Sequence, residues 1–353
     1  MYQFKKTLLV FFFLGKALVM PAQTASIDSL RFIIRFNNDN VKKINAYKAL
    51  ANALIFKDFD ACQETAIAGA ALAEKIKDDA SLSELKKYLG RSWYFKGVYD
   101  SAAVYYYKSL EIAKKVKNLS VKAGVLNELG KLYRKTRDLD RSLQMYNEAY
   151  EIYKKLNNES EMATILNESG VVFEYKEDFA EAINRYKSSL AIREKLKDEV
   201  GIAYSYNFLG GVYTIQKKFK EAEDYLIKSL ELRKKLKDSF AIALSYSDLG
   251  YMYKEQADYT RAADQYNLSN ILAEKMRYAE LLQANFRELA AIAEKTGNFA
   301  LSLAYYKKQA SLKDSIYSGD KMKQIEQLNA KYQTEKKEQQ LKLQDAEITK
   351  KNY

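Results

Sequence analysis

The residue types that carry most enzymatic chemistry are scarce in this chain. Its 353 residues include no histidine and one cysteine, Cys62. Imidazole general bases, Ser-His and Cys-His nucleophiles, histidine-ligated zinc and a phosphoaccepting histidine fall away, and a lone thiol builds no thiolate metal site. Gly124, Gly130 and Lys131 approximate a phosphate-binding loop, but five residues instead of four separate the glycines, and Leu132 stands where a Ser or Thr hydroxyl is needed. Carboxylates are plentiful, and no pair is set apart from its neighbours. No catalysis, cofactor or metal is expected. What does recur is a polar series at forty-residue intervals: Asn127, Asn167 and Asn207, with Ser247 after them and Lys87 before. A carboxamide offers both donor and acceptor, so a row of them can grip the main chain of an extended peptide without reading its side chains. Asparagine also caps or solvates a helix and binds its own neighbours.

The forty-residue interval belongs to the whole chain. Glycines stand at Gly90, Gly130, Gly170, Gly210 and Gly250, each inside a near-identical phrase such as LGKLYRKTRDLDRS or LGYMYKEQADYTRA. Ala290 heads the same pattern, and Leu50 heads it more loosely. Three residues after the anchor comes a ring (Trp93, Tyr133, Phe173, Tyr213, Tyr253). At plus twelve comes a small residue (Cys62, Ala102, Ser142, Ala182, Ala222, Ala262, Ser302), and four later a bulky ring (Tyr106, Tyr146, Tyr186, Tyr266, Tyr306). Spacings of three and four place these side chains on one helical face. A short polar break such as RDLD or GNFA divides each unit, brief enough only for an antiparallel helix turn. The chain therefore reads as all-α, a tandem array of helical hairpins with small residues at the closest approaches. The anchor glycine is expected where paired backbones crowd, and Cys62, in the small-residue series, as a buried inert thiol.

The motif L-G-x-x-Y, then a small residue, a ring four later and a further small residue (Ser109, Ala149, Ser189, Ser229, Ser269), resembles the tetratricopeptide repeat over residues 41–317. The resemblance implies a right-handed α-solenoid of about seven units, here at 40–317, with anchors at positions 50, 90, 130, 170, 210, 250 and 290. Two features depart from the family: the closing proline is absent, and the unit is forty residues instead of thirty-four. The second helices, ending EIAKKVKN, AIREKLKD or ELRKKLKD, are expected to run longer, as charged helix projecting from the stack. In this family the groove-facing positions lie six and three before the anchor and one, four and five after it. They carry the series Lys87, Asn127, Asn167, Asn207 and Ser247 onto a groove wall. Arg91, Lys131, Arg134 and Lys135 join it and favour an acidic ligand, while Tyr175, Tyr204, Ile215 and Tyr251 suit apolar side chains.

The termini bear on location and role. MYQFKK, an apolar run interrupted by Lys16 and the small residues PAQTAS predict a secretory signal at 1–22, cleaved near Ala22, then a lead-in segment at 23–39. The expected protein is exported and periplasmic, with no membrane span in the mature chain. Its formal net charge of +12 is spread among interleaved acids, which disfavours nucleic acid as a partner. The 318–353 segment reads as one polar helix with a narrow seam at Met322, Ile325, Leu328 and Tyr332. It either caps the last repeat or pairs as a coiled coil, making a homodimer. Its phrase LNAKYQTEKKEQQLKLQ resembles the connector of bacterial signalling proteins, which joins a periplasmic array to a membrane helix and an output domain. The expected function is a non-catalytic interaction module that binds a peptide or protein, as a sensor input region or as a free-standing envelope scaffold.

Overall fold

The computed structural model describes residues 26–55, 58–276 and 278–316, with side chains as far as 312. The expected leader at 1–22 and the polar segment at 318–353 lie outside the described residues. Fifteen helices follow in order: α1 (Ile27–Phe36), α2 (Asn40–Leu54), α3 (Phe59–Lys75), α4 (Asp79–Phe95), α5 (Tyr99–Lys115), α6 (Leu119–Lys135), α7 (Leu139–Lys155), α8 (Glu159–Tyr175), α9 (Phe179–Lys195), α10 (Glu199–Ile215), α11 (Phe219–Lys235), α12 (Ser239–Glu255), α13 (Tyr259–Lys275), α14 (Ala279–Lys295) and α15 (Phe299–Ile316). No strand occurs among the described residues. Helix α1 forms the lead-in, and α2 to α15 make seven hairpins, which is the expected α-solenoid of helix-turn-helix repeats. Contacts divide the chain into two compact units, one ending at Leu236 and the other resuming at Lys237.

The turns account for the regular period. Ile76 ends α3, Lys77 takes the left-handed conformation at φ 59°, and Asp78 follows. Lys77 N–H then donates to Glu74 C=O and Asp78 N–H to Ala73 C=O, a Schellman closure of the helix. Asp78 is also the N-cap of α4, its carboxylate accepting from Ser81 N–H at 3.0 Å. Asn118, Asp138, Asn158, Asp178 and Asp198 repeat the device in the same unit. One three-residue connection thus stops one helix and starts the next. From α4 to α14 every helix is 17 residues long. The expected elongation of the second helices alone is therefore corrected, because both members of the hairpin share the extra length. Nor do their charged ends simply project. Lys115 reaches back to Asp79 at 3.2 Å and Lys195 to Glu159 at 2.5 Å, while Arg193 and Arg233 are buried.

Within a hairpin the anchor glycine seats a ring. A Cβ at Gly90, Gly130 or Gly170 would stand 2.4, 2.5 or 2.4 Å from a ring carbon of Tyr106, Tyr146 or Tyr186. The glycine makes room for the aromatic face sixteen residues on, instead of for a neighbouring backbone as the sequence suggested. Hydroxyls then pin the pair: Ser109, Ser189, Ser229 and Ser269 each donate to a first-helix carbonyl, of Ser83, Ala163, Ala203 and Ala243, at 2.6 to 2.8 Å. Cys62 is buried as expected, its thiol directed at Ala51 C=O at 3.3 Å and pushed up to about 12 by burial.

Candidate functional site

In the unit ending at Leu236, first helices touch first helices: α2 meets α4, α4 meets α6, α6 meets α8 and α8 meets α10. Side chains one turn either side of each anchor thereby form a wall along α4, α6, α8 and α10. The wall grows out of the core. The Tyr146 phenol, buried behind Gly130, lies 3.4 Å from Glu168 Oε2, and the Tyr186 phenol, behind Gly170, donates to Glu174 at 2.6 Å. These two rings therefore end on carboxylates of α8.

Those carboxylates organise the predicted cations. Glu128 Oε1 lies 3.3 Å from Lys131 Nζ and 3.7 Å from Arg91 Nε. Glu168, wholly buried, takes Arg134 Nη2 at 3.1 Å and Lys131 Nζ at 3.8 Å. Sequence pattern offered Arg91, Lys131 and Arg134 as a basic patch for an acidic ligand; the structure corrects this, because two acids on α6 and α8 already compensate them. Burial pushes the Glu128 carboxyl up, but Lys131, Arg91 and Lys87 more than offset that and hold it below the ordinary range. Lys87, half-buried, is pulled below the usual lysine range by burial, against the attraction of Glu84. Lys135 is exposed, and burial of its stem together with repulsion from Arg134 and Arg137 lowers it too. Glu174 differs: burial lifts its carboxyl to about 7, outweighing the Tyr186 hydrogen bond and the more distant Arg134. Glu128, Glu168 and Glu174 were missed in the sequence. For Glu128 and Glu168 the available signal was a carboxylate two residues before one anchor facing a cation one or four after the previous one.

The asparagines take up a different place from the one expected. Asn127 and Asn167 are only 6% and 5% exposed. Asn167 Nδ2 reaches Ser205 Oγ of α10 at 3.5 Å, and Asn207 Oδ1 accepts from Arg233 Nη1 at 3.3 Å. The expected open column is thus corrected for Asn127 and Asn167, which are buried, and Asn167 links α8 to α10, whereas Asn207 is half-buried and tied to its own second helix. The Oδ1 atoms of Asn127 and Asn167 accept no hydrogen bond from the described residues. Arg193, another residue missed in the sequence, makes a similar clamp, donating to Ser160, Thr164 and Asp198 at 3.0, 2.7 and 2.6 Å.

Rings complete the wall. Tyr175 is exposed under the Arg137 guanidinium at 4.2 Å, and half-buried Tyr204 lies under Arg233 at 5.1 Å. Ile215 is half-buried at the end of α10. Ser247 and Tyr251 belong to the unit that begins at Lys237. There Ser247 donates to Asn285 at 2.7 Å, and Tyr251 carries Lys254 over its ring at 4.9 Å. Lys254 also pairs with Glu288 at 2.7 Å, repeating the cation–carboxylate link in that unit.

Seated rings, shared turn caps and a first-helix wall define a helical-hairpin repeat array of the α-solenoid class. The tetratricopeptide repeat model matches residues 88–155, 121–195 and 201–269, and the chain belongs to the tetratricopeptide repeat family. No curated protein matches the chain. Among solved structures it resembles the apo form of RapI, with a TM-score of 0.60 and 15% identity over 78% of this chain and 98% of that one. It also resembles a Rap protein complexed with Competence and Sporulation Factor, with a TM-score of 0.64 and 14% identity over 83% and 80% of the two chains. A Signal Transduction ATPase with Numerous Domains from Pyrococcus horikoshii, bearing a tetratricopeptide repeat sensor, matches with a TM-score of 0.55 and 15% identity over 85% of this chain and 50% of that one. The likeness to these three is one of fold. The family is one of protein-interaction modules, and among the described residues no helix is long and apolar enough to cross a membrane.

Proposed function

We propose that this chain is a non-catalytic, exported input module that takes an extended peptide or protein segment along the first-helix wall. The observation that carries this reading is the pre-organisation of the wall. Its cations and carboxylates are held by one another and by core phenols, so little side-chain freedom remains to be lost on binding. A ligand meets exposed Lys135 and Tyr175 at the rim and the half-buried Lys87 farther back. An extended segment alternating acidic and apolar or aromatic side chains suits that mixture. The basic, apolar and small-residue order of residues 1–22 supports export, and the connector-like phrase near the carboxyl end supports a role as signalling input. Two of the similar structures agree in kind, one bearing Competence and Sporulation Factor and one a repeat sensor.

The test is capture from an envelope extract by the full chain and by the Lys135→Glu, Tyr175→Ala double variant. A partner retained by the first and lost by the second, with the same helical melting for both, supports the wall as its site. Identical partner sets overturn it. Export is read separately, by fusing residues 1–25 to a reporter that is active only outside the cytoplasm; an inactive fusion removes the exported reading.

A further inference from the structure

An ion pair closes the open end of three hairpins. Asp79, Glu159 and Glu199, the first residues of α4, α8 and α10, pair with Lys115, Lys195 and Lys235, the last residues of α5, α9 and α11. The α6–α7 hairpin, set among these, has Leu119 in place of the acid, and Lys155 makes no ion pair with a described residue. Leu119 is 43% exposed, and Leu156, in the turn that leaves α7, is 40% exposed. Around them stand Lys114, Lys117, Lys154 and Lys155, all exposed and none paired with a carboxylate among the described residues. The turns on either side differ. Residues 74–80 and 194–200 each hold two lysines and three acids, whereas residues 114–120 hold three lysines and no acid. The one acid of residues 154–160, Glu159, is taken by Lys195. Charge that is interleaved along the sequence is thus gathered on two successive turns.

Helix dipoles explain part of this. Lys114, Lys115, Lys154 and Lys155 lie in last turns, where a cation is favoured. Lys117 does not: it takes the left-handed conformation at φ 53° outside the helix, a place that suits the asparagine found in the next turn, Asn157. Nor does a dipole favour leucine over an acid at the start of α6. Exposed leucines ringed by free lysines fit one kind of partner. An anionic bilayer takes leucine side chains into the boundary between headgroups and acyl chains, while lysine stems extend along it and their ammonium groups meet the phosphates. A protein segment would instead be met by a groove or a sheet edge, and the leucines here stand on a helix end and a turn. We propose that Lys114, Lys117, Leu119, Lys154, Lys155 and Leu156 form a surface that docks this chain on an anionic lipid bilayer. The surface uses none of the first-helix wall residues, so it holds or fails independently of the ligand proposed there.

A local probe in the full chain tests this. Ser120 and Ala80 are exposed at the same register after successive turns, and the native Cys62 is buried, so an introduced thiol is the one that labels. Bimane on Ser120→Cys should shift to the blue with phosphatidylcholine vesicles containing about one third phosphatidylglycerol, and not with pure phosphatidylcholine. Bimane on Ala80→Cys should shift less. Adding Lys154→Gln and Lys155→Gln to the Ser120→Cys chain should weaken vesicle binding about thirtyfold, and raised salt should weaken it further. Adding Leu119→Ser and Leu156→Ser instead should weaken it about tenfold at unchanged helicity. No shift at position 120, equal shifts at the two positions, or a shift indifferent to the lysine and leucine variants overturns the proposal. A shift produced by poly-glutamate and not by anionic vesicles also overturns it, and assigns the surface to an acidic chain.

Discussion

A glycine inside a helix is destabilising by about 0.5 to 1 kcal/mol relative to alanine, so its recurrence in α4, α6 and α8 must be offset locally. The offset is the ring of Tyr106, Tyr146 or Tyr186 lying against it. Gly170→Leu should therefore destabilise by about 1 to 3 kcal/mol through overpacking. Gly211, one residue past an anchor, has open space around its missing Cβ. Gly211→Ala should raise the melting temperature, by about 0.5 to 1 kcal/mol of added helix stability. Equal losses for the two variants, measured by thermal melting, would show that the rings do not explain the anchors. Glu174 gives a pH signature. Its folded pKa of about 7 lies above the ordinary 4.5, so between those values the folded chain holds a proton that the unfolded chain has released. Its contribution is fully present below about pH 4.5 and is lost as pH rises through 7. Glu174→Gln should thus raise the melting temperature relative to the parent by about 2 to 4 °C more at pH 8 than at pH 5. The ring-and-glycine spacing was legible in the sequence because it repeats within one hairpin. The fate of Asn167 was not, because its exposure depends on Ser205 of the next first helix, where the three preceding anchors have Leu85, Val125 and Ile165.

At the scale of helices, two kinds of link hold a first helix in place. Serine hydroxyls tie it to its own second helix, and cation–carboxylate contacts tie it to the next first helix. Exposed pairs such as Lys115–Asp79 contribute little. Glu168 and Arg134 differ, with side chains 0% and 7% exposed. Removing one member leaves a buried charge uncompensated, so Glu168→Leu should cost about 3 to 5 kcal/mol. Adding Arg134→Met should restore part of that stability, since the second charge goes with the first. Losses that simply sum would show that the two groups are uncoupled. The existence and order of these helices were plain from periodicity, while the sharing of length was not. The polar breaks marked where the turns within hairpins fall, but only Gly97 and Gly297 announce the left-handed residue in them; Arg137, Glu177, Lys217 and Ala257 take that conformation without being types that signal it. The compensation of Arg91 by Glu128 and of Lys131 and Arg134 by Glu168 was hidden for a related reason, because there the carboxylate sits in the next repeat, whereas the Glu128–Lys131 contact lies within α6.

For the molecule as a whole, the contact pattern decides how a local defect spreads. Within the unit ending at Leu236, α8 touches α6, α7, α9 and α10, and it makes no comparable contact with α2 or α3. Stability in such an array is close to a sum of hairpin terms and nearest-neighbour interfaces, without a single core that must fail at once. A single unfolding free energy is then a poor description, and site-resolved opening is the quantity to measure. Gly170→Leu forces Tyr186 out of its seat between α8 and α9, and Tyr186 in turn carries the hydrogen bond to Glu174 and stacks on Phe208 of α10 at 5.1 Å. Native-state hydrogen exchange of this variant should accelerate in α8 and α9 most, in α7 and α10 less, and in α2 and α3 not at all. The same order should hold in Glu168→Leu, but centred on α6 and α8, where its partners lie. Uniform acceleration from α2 to α11 would mean that this unit opens as one cooperative body, and the treatment of its wall as a row of separately anchored helices would have to be given up.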